Sequence, residues 1–344
     1  MKILRRIGLA LAAFLLLNAA CVLIPVRTKG VFEPRQLADP DSRFIELAGV
    51  DVHYKLYPAT PTFSPAERPL IVLLHGFGAS LFSWREVVGP LSVYGDVVAY
   101  DRPAFGLTGR PARWKGMNPY SPAAQVDMVI GLMDALGARQ AVLVGNSAGG
   151  TVAMNTALAY PDRVAALVLV SPAVYGGGGA PGWIQPFFLL PGINHIGPLL
   201  ARRISRDGDD FIRSAWYDAG RMGPEVLPGY RAPLQVRGWE KALWELAKAS
   251  AASSLSARLP EISMPALVLT GDTDRIVPTG LSIRLAGELP KATLVVIPES
   301  GHVAHEETPA AFMKAFEEFW EGQVVCSMEE PAEKQPGRSG TVTP

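Results

Sequence analysis

The stretch Leu143-Val144-Gly145-Asn146-Ser147-Ala148-Gly149-Gly150 constrains the fold of this chain more than any other. Aliphatic and β-branched residues from Ala141 to Val144 read as a strand, and Thr151 to Tyr160 reads as a helix. A strand that meets a helix across so few residues must turn sharply, which forces strained backbone on the residue at the apex. Gly145 and Gly149 remove side chains that would clash there. The Ser147 hydroxyl is therefore expected to project from the sheet with a helix N-terminus beneath it. A bare Gly-x-Ser-x-Gly carries little information; the strand–turn–helix context makes Ser147 the candidate nucleophile. Acyl chemistry at such a serine also needs a base, an acid to orient that base, and donors for an oxyanion.

Short apolar runs alternate with helical patterns over most of the chain. Phe44–Leu47 and Val52–Tyr57 flank Gly49 as an antiparallel hairpin. A Pro-rich loop from Pro58 to Pro69 follows. Leu70–Leu74, Val97–Tyr100, Ala141–Val144, Ala166–Val170, Ala266–Leu269 and Thr293–Ile297 are apolar at almost every position. Such runs suit strands buried on both faces of a parallel sheet. Between them, Phe82–Leu91, Pro122–Leu136, Thr151–Tyr160, Gly280–Leu289 and Pro309–Trp320 read as helices. The pattern predicts an α/β fold with an eight-stranded, mostly parallel sheet, its first pair antiparallel, and helices on both faces.

Residues 173–260 break the alternation. They contain no strand of this kind, open with Gly176-Gly177-Gly178-Gly179 and carry Trp183, Phe187, Phe188, Trp216, Trp239 and Trp244. A helical, aromatic insertion between two strands is expected to cap a site, an ordinary helical subdomain being the plainer alternative. The expected organisation is an N-terminal hydrophobic segment at 1–26, a core at 43–172 and 261–322, the cap at 173–260, and a disordered tail at 323–344.

At the N-terminus, Ile7 to Ile24 is apolar except for Asn18, follows Lys2, Arg5 and Arg6, and ends at Pro25. As a helix this run would reach roughly 27 Å, close to the thickness of a bilayer core. The expectation is a single-pass membrane anchor that leaves the folded domain extracytoplasmic. A cleaved signal peptide, giving a secreted domain, and a lipoprotein at Cys21 are the alternatives; Asn18 at the −3 position disfavours cleavage after Ala20. Balanced charge, with 32 basic and 32 acidic residues, offers no electrostatic case for a nucleic-acid partner. Two cysteines are too few for a disulfide framework.

In an open α/β sheet, the loops leaving the carboxyl ends of the strands line one crevice. The loop after Ala266–Leu269 carries Gly271-Asp272-Thr273-Asp274, and the loop after Thr293–Ile297 carries Pro298-Glu299-Ser300-Gly301-His302. The loop after Val170, Ser171-Pro172-Ala173, offers no carboxylate. The order Ser147, Asp274, His302 supplies nucleophile, acid and base. His302, at the strand exit, is preferred to His305 as the base. Asp274 is preferred to Asp272, which directly follows a glycine and suits turn capping. His53 suits cross-strand packing, His75 loop organisation, and His195 a structural place in the insertion. Candidate oxyanion donors are the amides of Ala148 and of Phe77 in His75-Gly76-Phe77-Gly78. Gly76, Gly78 and Asn146 are candidate substrate-binding residues.

Together, His75–Gly78, Asp101-Arg102-Pro103-Ala104-Phe105-Gly106, Gly145–Gly149, Gly271–Pro278 and Gly301-His302 resemble the serine-nucleophile branch of the α/β-hydrolase fold superfamily. The resemblance runs from about Arg43 to Trp320. It implies an eight-stranded sheet with a cap after the sixth strand, a Ser147–Asp274–His302 triad, and esterase- or lipase-like activity. The Asp101 loop is mainly structural in relatives, and Ala104 stands where many members have glycine. Serine at 147 argues against the dehalogenases and epoxide hydrolases of this fold, which attack with aspartate. The expectation is a serine hydrolase acting on a small-molecule ester or lipid with an apolar acyl group, without metal or organic cofactor. Hydrolysis of a carbon–carbon bond in ring-cleavage products is the alternative, and a non-catalytic binding protein on the same fold is a third.

Overall fold

The computed structural model describes residues 2–60, 69–175, 184–250 and 254–324. Residues 61–68 of the Pro-rich loop, the glycine run with Trp183, and the expected disordered tail beyond Val324 lie outside the described residues. One sheet holds eight strands in the order β1-β2-β4-β3-β5-β6-β7-β8. They are β1 (Arg43–Leu47), β2 (Val50–Tyr57), β3 (Leu70–Leu74), β4 (Asp96–Tyr100), β5 (Ala141–Asn146), β6 (Val164–Val170), β7 (Ala266–Gly271) and β8 (Ala292–Ile297). β2 runs antiparallel to β1 and β4, and all other pairings are parallel. Ala48 and Gly49 turn the β1–β2 hairpin, both with positive φ (51° and 77°). That geometry matches the right-handed twist of the two strands.

Every residue of β3, β5, β6 and β7 is buried, because helices cover both faces. Alternate residues serve opposite cores. Val72 and Leu74 pack with α3 (Pro122–Ala135), α4 (Ala148–Ala159) and α10 (Thr279–Glu288). Ile71 and Leu73 pack instead with Trp84, α2 (Val88–Leu91) and α12 (Pro309–Phe319). The helix expected over Phe82–Leu91 is a 3-10 turn at Leu81–Trp84 followed by the short α2. Pro90 explains the break: it has no N–H and its ring excludes a helical carbonyl four residues earlier.

Between β6 and β7 the chain forms α5 (Gln185–Phe188), α6 (Pro191–Ser214), α7 (Val226–Arg231), α8 (Trp239–Ala249) and α9 (Leu255–Arg258). Trp239, Leu243 and Leu246 of α8 bury themselves with Ala104, Phe105 and Tyr120 from the loop after β4. Leu255 and Leu259, at the end of this insertion, already belong to the core under α4. From β3 the chain passes to β4 on one side and then returns to β5 on the other. The loops leaving β3 and β5 therefore diverge around a crevice, the place where open α/β sheets hold ligands.

The membrane anchor expected at the N-terminus is not upheld. Among the described residues no helix is long and apolar enough to cross a membrane. The helix α1 (Lys2–Cys21) carries Arg5 and Arg6 near its start and Asn18 near its end. The apolar run Ile7–Leu17 between them spans only about 16 Å, against about 30 Å of hydrocarbon. α1 docks on the insertion instead. Buried Asn18 accepts a hydrogen bond from the Gly192 amide at 3.2 Å, and Phe14 meets Phe187 edge-on. α1 thus meets the insertion near its end, through Asn18 and Phe14, while Ile7, Leu9, Leu15, Leu16 and Leu17 stay exposed.

Candidate active site

Ser147 sits at the junction of β5 and α4 with φ 52° and ψ −118°. Holding a non-glycine residue there costs about 1–3 kcal/mol, so the surroundings must enforce it. They do so through close backbone approach. A Cβ on Gly149 would lie 1.9 Å from the Leu74 carbonyl oxygen, and one on Gly145 2.6 Å from that of Gly149. The Ser147 amide donates to the Val170 carbonyl at 2.9 Å, and its own carbonyl accepts from Gly150 and Thr151 in the first turn of α4.

His302 leaves the loop after β8 and meets Asp274 from the loop after β7, with Nδ1 to Oδ2 at 2.8 Å. Both are buried. Asp274 Oδ1 accepts from the amides of Ile276 (2.8 Å) and Val277 (2.9 Å), which fixes the carboxylate plane. Acceptor oxygens throughout leave His302 Nδ1 as the donor, so in the neutral ring Nε2 carries the lone pair. Asp272 accepts instead from the Thr273 hydroxyl and the Ser300 amide, the turn-capping place expected of it.

The other histidines are held elsewhere. His53 faces Phe44 across the hairpin and bonds Asp101 at 2.7 Å, while His195 bonds the Ile24 carbonyl at 2.7 Å. His75 Nδ1 donates to the Gly76 carbonyl, and its Nε2 accepts from the Arg102 amide. His305 is fully buried against Trp84, with ring centroids 4.2 Å apart, and among the described residues neither of its nitrogens has a hydrogen-bond partner. Burial, with the charges of His302 and Arg85, lowers His305 from its usual 6.5 to about 3. The unfolded chain takes up this proton below pH 6.5 and the folded chain refuses it until about pH 3. The stability is present above the unfolded value and lost as the pH falls through that window. Replacing His305 by leucine is expected to flatten the slope of unfolding free energy between about pH 6 and 4 by up to about 1.4 kcal/mol per pH unit. Urea titrations across that range measure it, and an unchanged slope would mean that His305 protonates within the fold.

Ser147 and His302 open onto one cavity of about 180 Å³ between the sheet and the insertion. Gly76, Phe77, Gly78 and Asn146 border it from the core, while Trp216, Tyr230, Leu234, Trp239 and Leu243 border it from the insertion. The loop after β3 lies tight against the nucleophile, since a Cβ on Gly76 would stand 2.7 Å from Asn146 Oδ1 and 3.4 Å from Ser147 Cβ. The Gly76 carbonyl is tied to His75 Nδ1 and to Arg102 Nη2. In a trans peptide the Phe77 N–H then points the opposite way. Gly78 adopts φ 73° on the cavity wall. Ala148 opens α4 immediately after the nucleophile. Asn146 borders the cavity, but both bonds of its Nδ2 go to backbone carbonyls, Val170 at 3.2 Å and His302 at 3.1 Å.

Sequence reasoning passed over Glu306 and Glu307 in α11 (Ala304–Glu307), one turn beyond His302. Glu306 is buried between Arg85 Nη1 (2.5 Å) and the Tyr230 hydroxyl. Burial outweighs these partners and raises its carboxyl to about 7. The available signal was two adjacent carboxylates directly after the loop of the candidate base.

The profile of the alpha/beta hydrolase fold family matches residues 69–309. The chain belongs to that family. This hydrolase is 29% identical over 289 residues to the uncharacterized hydrolase YugF of Bacillus subtilis, covering 83% of this chain and 99% of that one. It is 31% identical over 249 residues to the 2-hydroxy-6-oxo-6-phenylhexa-2,4-dienoate hydrolase of Burkholderia cepacia, covering 70% of this chain and 84% of the relative. A thermophilic esterase from Thermogutta terrifontis shares the fold, with TM-score 0.62 and 24% identity over 81% of this chain and 98% of its own.

Proposed function

We propose that this hydrolase cleaves carboxylic esters with apolar acyl groups through a covalent acyl-enzyme. The observation that supports it most is that Ser147 and the Asp274-bonded His302 share one largely apolar cavity. In this reading His302 Nε2 takes the Ser147 proton as Oγ attacks the acyl carbon, then delivers it to the departing alcohol. Water attacks the acyl-serine with His302 again as base, and Asp274 holds the ring in the required tautomer. The amides of Phe77 and Ala148 receive the oxyanion. The insertion acts as a cap whose aromatic residues exclude water and favour an apolar acyl chain. Gly76 and Gly78 give that chain close access to the loop. Asn146 serves the site by holding the His302 carbonyl.

Carbon–carbon bond hydrolysis is the second reading, favoured by the 31% identity to the Burkholderia dienoate hydrolase. One experiment separates the two: purified protein with p-nitrophenyl butyrate beside 2-hydroxy-6-oxo-6-phenylhexa-2,4-dienoate. Faster turnover of the ester is expected. Turnover of the dienoate alone replaces the first reading with the second, and turnover of neither sinks both.

A further inference from the structure

The peptide groups of the candidate base are held from two sides. The His302 carbonyl accepts from Asn146 Nδ2 at 3.1 Å, next to the nucleophile. The His302 amide donates to the Ala215 carbonyl at 2.7 Å, in the strap of the insertion that follows α6. Beside this contact stands Glu307, a buried carboxylate that meets three backbone donors. Its Oε2 accepts from the amides of Gly301 and Tyr217, and its Oε1 from the amide of Asp218, each at 2.8 Å. One side chain thus ties the loop of the base to the strap Ala215–Asp218 through charge-assisted bonds. Gly301 lets the two segments close on each other: a Cβ there would lie 2.4 Å from the Ala215 oxygen and 2.7 Å from the Tyr217 nitrogen. The strap carries Trp216, which borders the cavity and packs in one buried group with Val303, the neighbour of His302.

We propose that Glu307 is a positioning residue that sets the aim of His302 by registering its loop against the insertion. The proposal rests on the reading of His302 as the base. The seat of the insertion over the cavity and the alignment of the base are then one variable. An acyl group that fills the space beside Trp216 steadies the strap that holds the His302 amide, and lifting the insertion takes the base out of line. A carboxylate is required because all three partners are donors. Glutamine keeps the shape but turns an NH2 group toward one of them.

The test compares wild type, Glu307→Gln and Gly301→Ala, the last of which forces a methyl group into the joint. Rates of Ser147 labelling by a fluorophosphonate, kcat and KM for p-nitrophenyl butyrate, the pH–rate profile and thermal melting are measured together. Both folded variants are expected to lose roughly 10- to 100-fold in labelling rate and kcat, as for a base displaced by about an ångström. KM should stay within about twofold and the acid limb of the pH profile should move. A folded Glu307→Gln protein that labels within about twofold of wild type would overturn the proposal. If neither variant folds, amide exchange in wild type decides. Gly301, His302, Tyr217 and Asp218 are expected to exchange as one unit and to slow together on phosphonylation, and independent rates would overturn the proposal. Wild type that fails to label at Ser147 defeats the reading of the site itself, a result distinct from either.

Discussion

Ser147→Ala is expected to lower ester turnover by about 10⁴-fold or more, leaving only what binding and the oxyanion donors supply. The substitution keeps a Cβ at φ 52°, so the strain of the turn is neither relieved nor increased. The Ser147 amide bond to Val170 and the carbonyl bonds into α4 are made by the backbone and persist. Folding free energy should therefore stay within about 0.5 kcal/mol, as for a substitution that disturbs no packing or network. Steady-state kcat/KM for p-nitrophenyl butyrate, with a urea melt of each protein, measures both. Turnover within tenfold of wild type would remove Ser147 from the reaction.

Asp274→Asn is expected to lower kcat by about 10⁴-fold, with little effect on KM. The cause is orientation. Asp274 Oδ1 is committed to the amides of Ile276 and Val277, so the carbonyl oxygen of an asparagine would take that place. Its NH2 group would then face His302 Nδ1, where an acceptor now stands at 2.8 Å. The imidazole must answer by accepting at Nδ1, which moves its proton to Nε2 and removes the lone pair that Ser147 needs. A decisive observation is the rate above pH 9, where hydroxide can substitute for the missing base: partial recovery there is expected. Full activity at pH 7 would show that another carboxylate orients His302.

Much of this architecture was legible because local strain leaves sequence marks. The glycines at 145 and 149 are required by carbonyl oxygens that a Cβ would strike, and the serine between them occupies the left-handed region. The apolar runs of β3, β5, β6 and β7 are the direct imprint of a sheet covered on both faces. Asp272 and Asp274 differ in place although they lie two residues apart, and the turn chemistry after Gly271 distinguished them. Other features are not local. The apolar residues of α1 suggested a membrane span, yet they stay exposed and it is the polar Asn18 that docks the helix on α6, a tertiary fact that no local pattern marks. Asn146 beside the nucleophile reads as a substrate contact, yet its amide is used to hold the carbonyl of His302. Glu307 looks like an ordinary helical glutamate until three amides from two separate segments are seen around it.

The role of Ser147 as nucleophile is read out by mass spectrometry of the protein after reaction with a fluorophosphonate, alongside residual ester activity. One phosphonyl adduct per chain is predicted, on the peptide containing Ser147, with activity lost in proportion to labelling and no such adduct in Ser147→Ala. Undiminished ester turnover by fully labelled protein, or an adduct on another residue that tracks the loss of activity, would show that Ser147 is not the nucleophile.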